Sequence, residues 1–187
     1  ILWLSIGICA IATLTILFYS RIAMPRRLAE RLRQSIQVFG TAIELRFPSH
    51  KGLTERVVVL ARLIGTRLNL SEKTLITMQM AAELRDIGLC SIPYALVHEK
   101  STYNWDDADW STYYRHAEVS GAMLELVPSL RHLAPIVRLH HTDFRGTGTE
   151  IFPSGNDIPI EARILNVVCE YVWLSRLQGS LLARDSI

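Results

Sequence analysis

From Ile1 to Tyr19 the chain reads ILWLSIGICAIATLTILFY, without a charged residue or a proline. About 20 apolar residues in an α-helix cross the hydrocarbon core of a bilayer, where only internally hydrogen-bonded backbone is tolerated. A buried core helix, or the shorter apolar region of a signal peptide, is the competing reading of such a run. The residues that follow favour a span. Arg21, Arg26, Arg27, Arg31 and Arg33 face a single Glu30, and basic residues flanking a span stay on the cytoplasmic side. Residues 1–20 are therefore expected to form a single transmembrane helix in the inner (cytoplasmic) membrane, with Trp3 and Tyr19 near its two interfaces and the rest in the cytoplasm.

The remainder has the length of one domain. The 187 residues carry a net charge of +2 with 20% charged residues, which excludes a disordered tail and offers no bulk attraction for nucleic acid. Cys9, Cys90 and Cys169 are scattered without a CxxC pair, so neither a disulfide framework nor a thiolate zinc site is expected. The chain opens without methionine and ends on a helical pattern, and it reads as a fragment of a longer protein.

Helical spacing then repeats to the end. Leu28, Leu32, Ile36, Phe39 and Ile43 recur at intervals of three and four, which places them on one face of a connecting helix over 21–46. That helix could pair with a second copy, and its arginines could also touch anionic headgroups. Phe47 to Gly52 breaks it. A helix after Leu53 turns Val57, Leu60, Ala61 and Ile64 inward. Ser71 caps a further helix running to Arg85, which Gly88 and Pro93 close. Asp106, Asp107 and Asp109 precede a helix bearing His116, and helices near 130–141 and 160–177 follow. No strand alternation competes, and the fold class is all-α. His98 and His132 lie among polar residues and are expected to be exposed.

Titratable residues stand on several of these helices: Asp86, His116, and the pair His140-His141 before Arg145-Gly146-Thr147-Gly148. Imidazoles and carboxylates drawn from separate helices are the outline of a metal-dependent phosphohydrolase, in which divalent ions polarise a phosphodiester and generate hydroxide. The stretch from about Ile43 to Ser175 resembles the HD-GYP domains, a branch of the HD phosphohydrolase superfamily whose active members hydrolyse cyclic di-GMP. Lys51-Gly52-Leu53-Thr54-Glu55-Arg56-Val57 is similar to x-G-H-S-x-R-V, and Leu84-Arg85-Asp86-Ile87-Gly88-Leu89 to L-H-D-I-G-K. His116-Ala117-Glu118-Val119-Ser120-Gly121 resembles H-P-x-x-G, and His140 to Gly148 resembles H-H-E-x-x-D-G-x-G. Ile158-Pro159 through Ala162-Arg163-Ile164-Leu165 matches the entry to the last ligand helix.

The resemblance implies an HD-type helical bundle over 47–187, truncated at its C-terminus. It also marks what has changed. Leu53 and Arg85 stand at histidine positions, Cys169 at an aspartate, Leu89 at a phosphate-contacting lysine, Thr142 at a glutamate, and Thr149-Glu150 at a Tyr-Pro. What remains for metal is Asp86, His116, His140 and His141, which implies either no cofactor or one weakly bound divalent ion, iron, manganese or zinc. Spacing alone does not close those four around a single ion. Pro48 argues against His50 replacing the ligand missing at Leu53. Glu170, about 100° around the helix from Cys169, points elsewhere, and Cys169 is a small core residue. Arg85, Arg145, Gly146 and Gly148 are the candidate contacts for a phosphate-bearing ligand, since glycines admit backbone N–H groups and guanidinium grips phosphate.

The functional expectation is a membrane-anchored bacterial signalling domain, impaired in hydrolysis, that works by binding cyclic di-GMP or another nucleotide or by protein contact, as a possible homodimer. The alternative is an active, divergent phosphohydrolase. No nucleic-acid partner is expected. Topology is open to direct test: a reporter active only outside the cytoplasm, fused after Ile187, should stay silent, and activity from it would reverse the orientation.

Overall fold

The computed structural model describes residues 2–47, 50–145 and 153–184, with the side chains described as far as Arg176. The chain divides into two compact units, 1–38 and 39–187. In the first, α1 spans Leu2–Phe18 and passes through one wide π-helical turn, Tyr19–Ala23, into α2, Met24–Arg46. The helix is long and apolar enough to cross a membrane, and none of the residues in its apolar window is buried.

Among its described residues the second unit is built of helices joined by turns and loops, with no strand. It comprises the end of α2, then α3 (Leu53–Arg67), α4 (Glu72–Leu84), a 3-10 turn (Ile87–Ser91) and the short α5 (Tyr94–His98). After these come α6 (Asp107–Glu125), the one-and-a-half-turn α7 (Ala134–Arg138) and α8 (Ile160–Arg184). Side chains set the helix starts. Glu44 accepts hydrogen bonds from the Gly52 and Thr54 amides, both at 2.9 Å, satisfying donors at the start of α3 from the preceding helix. Ser71 accepts from the Thr74 amide at the start of α4. Asp106 and Asp109 form a reciprocal capping box at the start of α6.

Packing follows the apolar faces with two changes from the sequence expectation. On α3 the buried stripe is Leu53, Val57, Ala61 and Gly65, so the inward residues step by four from Leu53 and leave Leu60 and Ile64 at the margin. On α2 Phe39 is exposed and Gly40 is buried, because an ideal Cβ at residue 40 would lie only 3.0 Å from the Glu83 carbonyl oxygen. That contact admits glycine and excludes a ring. Phe47, Leu89, Ile92, Leu96 and Tyr113 form a buried cluster with Ile43, Val97, Trp105 and Trp110 packed against it, each large side chain contributing roughly 1.5–3 kcal/mol on burial. His98 is part of this layer and is not exposed. It stacks on Tyr94 at 4.0 Å and on Phe47 at 5.3 Å between ring centroids. His132 is exposed, as expected.

The corner after α4 positions the chemistry. Ser120 on α6 donates to the Arg85 carbonyl at 2.7 Å and accepts from the Gly88 amide at 2.8 Å. The two chains approach so closely that a Cβ on Gly88 would lie 2.2 Å from the His116 carbonyl oxygen and 2.7 Å from the Ser120 amide. Backbone cannot yield as a flexible side-chain tip does. Gly88→Ala should therefore destabilise the domain by about 3 kcal/mol, the upper end of ordinary overpacking, and denaturant melts of the two proteins measure it.

Candidate functional site

Five elements bring their ends to one half-open cavity. Leu53 and Val57 come from α3, Arg85 and Asp86 from the corner after α4, and Trp110, Tyr113 and Tyr114 from α6. His140 and His141 arrive on the turn after α7, and Cys169, Glu170, Val172 and Trp173 from α8, with His50 completing the wall. His116 sits behind this wall, fully buried against His140 and His141. One potential ligand atom from each of His116, His140 and His141 lies within 4.8 Å of those of the other two. The surviving imidazoles that spacing alone left apart are thus neighbours.

Backbone carbonyls orient two of the rings. His116 Nδ1 donates to the Tyr113 carbonyl at 2.7 Å and His140 Nδ1 to the Val137 carbonyl at 2.6 Å. A carbonyl only accepts, so the proton of each neutral ring sits on Nδ1 and Nε2 carries a bare lone pair. Both Nε2 atoms are buried and have no hydrogen-bond partner. A buried polar atom without a partner is costly, and two such lone pairs beside a third imidazole are what a divalent ion would satisfy. The donor set fits one ion held by His116, His140 and His141.

Asp86 links this cluster to Arg85. Its Oδ2 is 2.8 Å from Arg85 Nη2, and its Oδ1 is 3.5 Å from His116 Nε2. Arg85 also donates from Nη1 to the Ala82 carbonyl at 2.5 Å, so its guanidinium is tied at both ends in a site where it is 4% exposed. Burial would raise the Asp86 carboxyl, but the Arg85 guanidinium beside it holds it well below the ordinary carboxylate range. Burial pushes His140 down to about 3, with the charge of His116 acting in the same direction. Burial likewise lowers His50 to about 4 and carries His141 well below its usual value.

The three positions that the family resemblance sets against metal ligands share the cavity. Leu53, Arg85 and Cys169 all line it, and burial pushes the Cys169 thiol up to about 11, so it stays protonated at neutral pH. Cys169 is therefore a partly exposed wall residue rather than a core one. Glu170 also reaches the wall, although it follows Cys169 directly. His50, set aside on the strength of Pro48, is 4% exposed and lines the cavity, with Nε2 3.3 Å from the Tyr113 hydroxyl. The signal for it was its place one turn before Leu53. Arg145 is exposed on the loop beyond His141, outside the cavity wall, and Gly146 and Gly148 lie outside the described residues.

The HD domain family model matches residues 37–185. Among curated relatives, the 3'3'-cGAMP-specific phosphodiesterase 3 of Vibrio cholerae is 28% identical over 130 residues, covering 70% of this chain and 28% of that protein. The cyclic di-GMP phosphodiesterase response regulator RpfG of Xanthomonas campestris pv. campestris is 28% identical over 148 residues, covering 78% of this chain and 39% of its own length. A second Vibrio cholerae relative, the 3'3'-cGAMP-specific phosphodiesterase 2, is 25% identical over 141 residues and is covered over 26% of its length. The chain thus spans well under half of each curated relative it matches.

The lowered imidazoles set a pH dependence. In the unfolded chain His50 and His140 protonate near 6.5, whereas in the fold they do so near 4 and 3. The unfolded state therefore binds more protons in between, and stability present above pH 6.5 is lost as the pH falls. Between pH 7.5 and 5.5 these two residues should cost the metal-free protein about 3 kcal/mol, from about 1.4 kcal/mol per group per unit. Urea melts at the two pH values, repeated with His140→Asn, check it: the variant should lose about half of the dependence.

Proposed function

The chain belongs to the HD domain family, in the HD-GYP branch of the HD phosphohydrolase superfamily, and on that basis we propose a membrane-anchored signalling domain that binds a cyclic dinucleotide without hydrolysing it efficiently. The observation that carries this reading is the pairing of Asp86 with Arg85 in a cavity where Leu53 and Cys169 also stand at ligand positions. A guanidinium cannot be deprotonated and cannot coordinate. Leu53 offers no donor, and a protonated thiol is a poor ligand. One half of a multinuclear centre is thereby lost, while His116, His140 and His141 remain to hold a single divalent ion: iron, manganese or zinc.

Such an ion, when bound, supplies Lewis acidity toward a phosphoryl oxygen. The chain's own residues do the rest. The Tyr113 and Val137 carbonyls hold His116 and His140 in their ligating tautomer, Asp86 sets a fixed negative charge beside them, and Trp110, Tyr114 and Trp173 give the cavity an aromatic rim that suits a nucleobase. Arg145, Gly146 and Gly148 remain the proposed further contacts for the phosphate-bearing ligand. The names of the relatives, two acting on 3'3'-cGAMP and one on cyclic di-GMP, support the ligand class. The uncovered apolar helix α1 and the arginines after it support an anchor with the domain on the cytoplasmic side. Exposed Leu28 on the same face as Leu32 supports pairing of two chains through α2.

A second reading is favoured by one feature: three imidazoles with an open fourth position are also the ligand set of a catalytic single-metal site. One experiment separates the two. The full chain, purified in detergent and analysed for metals, should carry one divalent ion, and titration with cyclic di-GMP should release heat while no linear product accumulates. Linear dinucleotide formed at a steady rate would establish the hydrolase, and neither metal nor heat would defeat both readings.

A further inference from the structure

The Asp86 carboxylate faces two ways: Oδ2 lies 2.8 Å from Arg85 Nη2, and Oδ1 lies 3.5 Å from His116 Nε2 at the edge of the imidazole cluster. We propose that the Arg85 guanidinium is a built-in cation standing in for a second metal ion, so that one fixed charge and one exchangeable ion, joined through Asp86, together bind a single phosphoryl group. The inference rests on the one-ion reading of His116, His140 and His141 given above.

Charge balance motivates it. A carboxylate as buried as Asp86, 9% exposed, must have a cation beside it. Here one oxygen is already served by a charge that belongs to the chain, and it stays served whatever the metal supply. The guanidinium is also immobilised. Its Nη1 is tied to the Ala82 carbonyl and its Nη2 to Asp86, so little side-chain entropy remains to be lost when an anion arrives.

Position supports it as well. Arg85 lines the same cavity as His140 and His141, beside Leu53 and Cys169, so the half that has lost its donors is the half that holds the fixed cation. A guanidinium presents several N–H donors and suits phosphate oxygens, and the ion on the histidines would take the remaining oxygen. Such a pair can grip phosphate. A fixed guanidinium cannot generate hydroxide as a metal ion does, which favours binding in place of turnover.

The test counts ions and measures phosphate, using the full chain in detergent loaded with Mn2+. Wild type should hold one ion per chain with the electron paramagnetic resonance spectrum of isolated Mn2+. Leu53→His with Cys169→Asp restores donors but keeps Arg85, and it should still hold one. Adding Arg85→His to that pair should raise the count to two and give an exchange-coupled spectrum. A double variant that already holds two ions would overturn the proposal, because Arg85 would then not occupy the second place, and so would a folded triple variant that stays at one. Independently, Arg85→Gln with its ion still bound should bind inorganic phosphate at least tenfold more weakly than wild type, and equal affinity would overturn it without reference to the triple variant. A wild-type count of zero would instead defeat the one-ion reading itself.

Discussion

The ion pair between Arg85 and Asp86 is the constraint around which the domain is arranged. Both residues are nearly closed off from water, and removing one partner of such a pair typically costs about 3–5 kcal/mol, because the other is left as an uncompensated buried charge. The pair sits on consecutive residues at the end of α4, where the chain turns sharply. Ser120 fastens that turn to α6 by bonding on both sides of it, and Gly88 lets the two backbones meet. The same helix carries His116 on the turn before Ser120, so the geometry of the ion pair and that of the first imidazole are set together.

The other imidazoles are set by equally local means. A hydrogen bond to a carbonyl three residues back fixes His140 as it fixes His116, and His141 follows its neighbour on the turn. Each ring is held by its own segment, and the segments are held by α6 packing on α7 and on the turn after α4. Burial then keeps His140 and His141 neutral at physiological pH, the state in which an imidazole binds a metal. The fold holds three imidazoles together beside a cavity that Leu53, Arg85 and Cys169 also line.

Relatives that match this chain are named for their action on cyclic dinucleotides. The proposed loss of hydrolysis turns on the character of a few side chains lining one cavity, Leu53, Arg85 and Cys169. The scaffold that would deliver them is present, from the Ser71 and Asp106 caps to the aromatic cluster around Tyr113.

Much of this was legible in the linear order of residues. Helical spacing, the Ser71 cap and the uncharged opening run are local properties, so the all-α class and most helix positions follow from neighbours within a few residues of one another. Motif order also set Leu53, Arg85 and Cys169 against ligand positions of the resembling family, because identity at a register needs no coordinates. Only the tertiary structure decided which residues meet. That His116, His140 and His141 converge, that His50 and Glu170 reach the cavity, that His98 is stacked between Tyr94 and Phe47, and that Arg85 turns its charge onto Asp86 all depend on helix directions. Those directions are set by contacts between residues far apart in the chain, such as Ser120 with Arg85 and Gly88, and no spacing rule within a single helix encodes them.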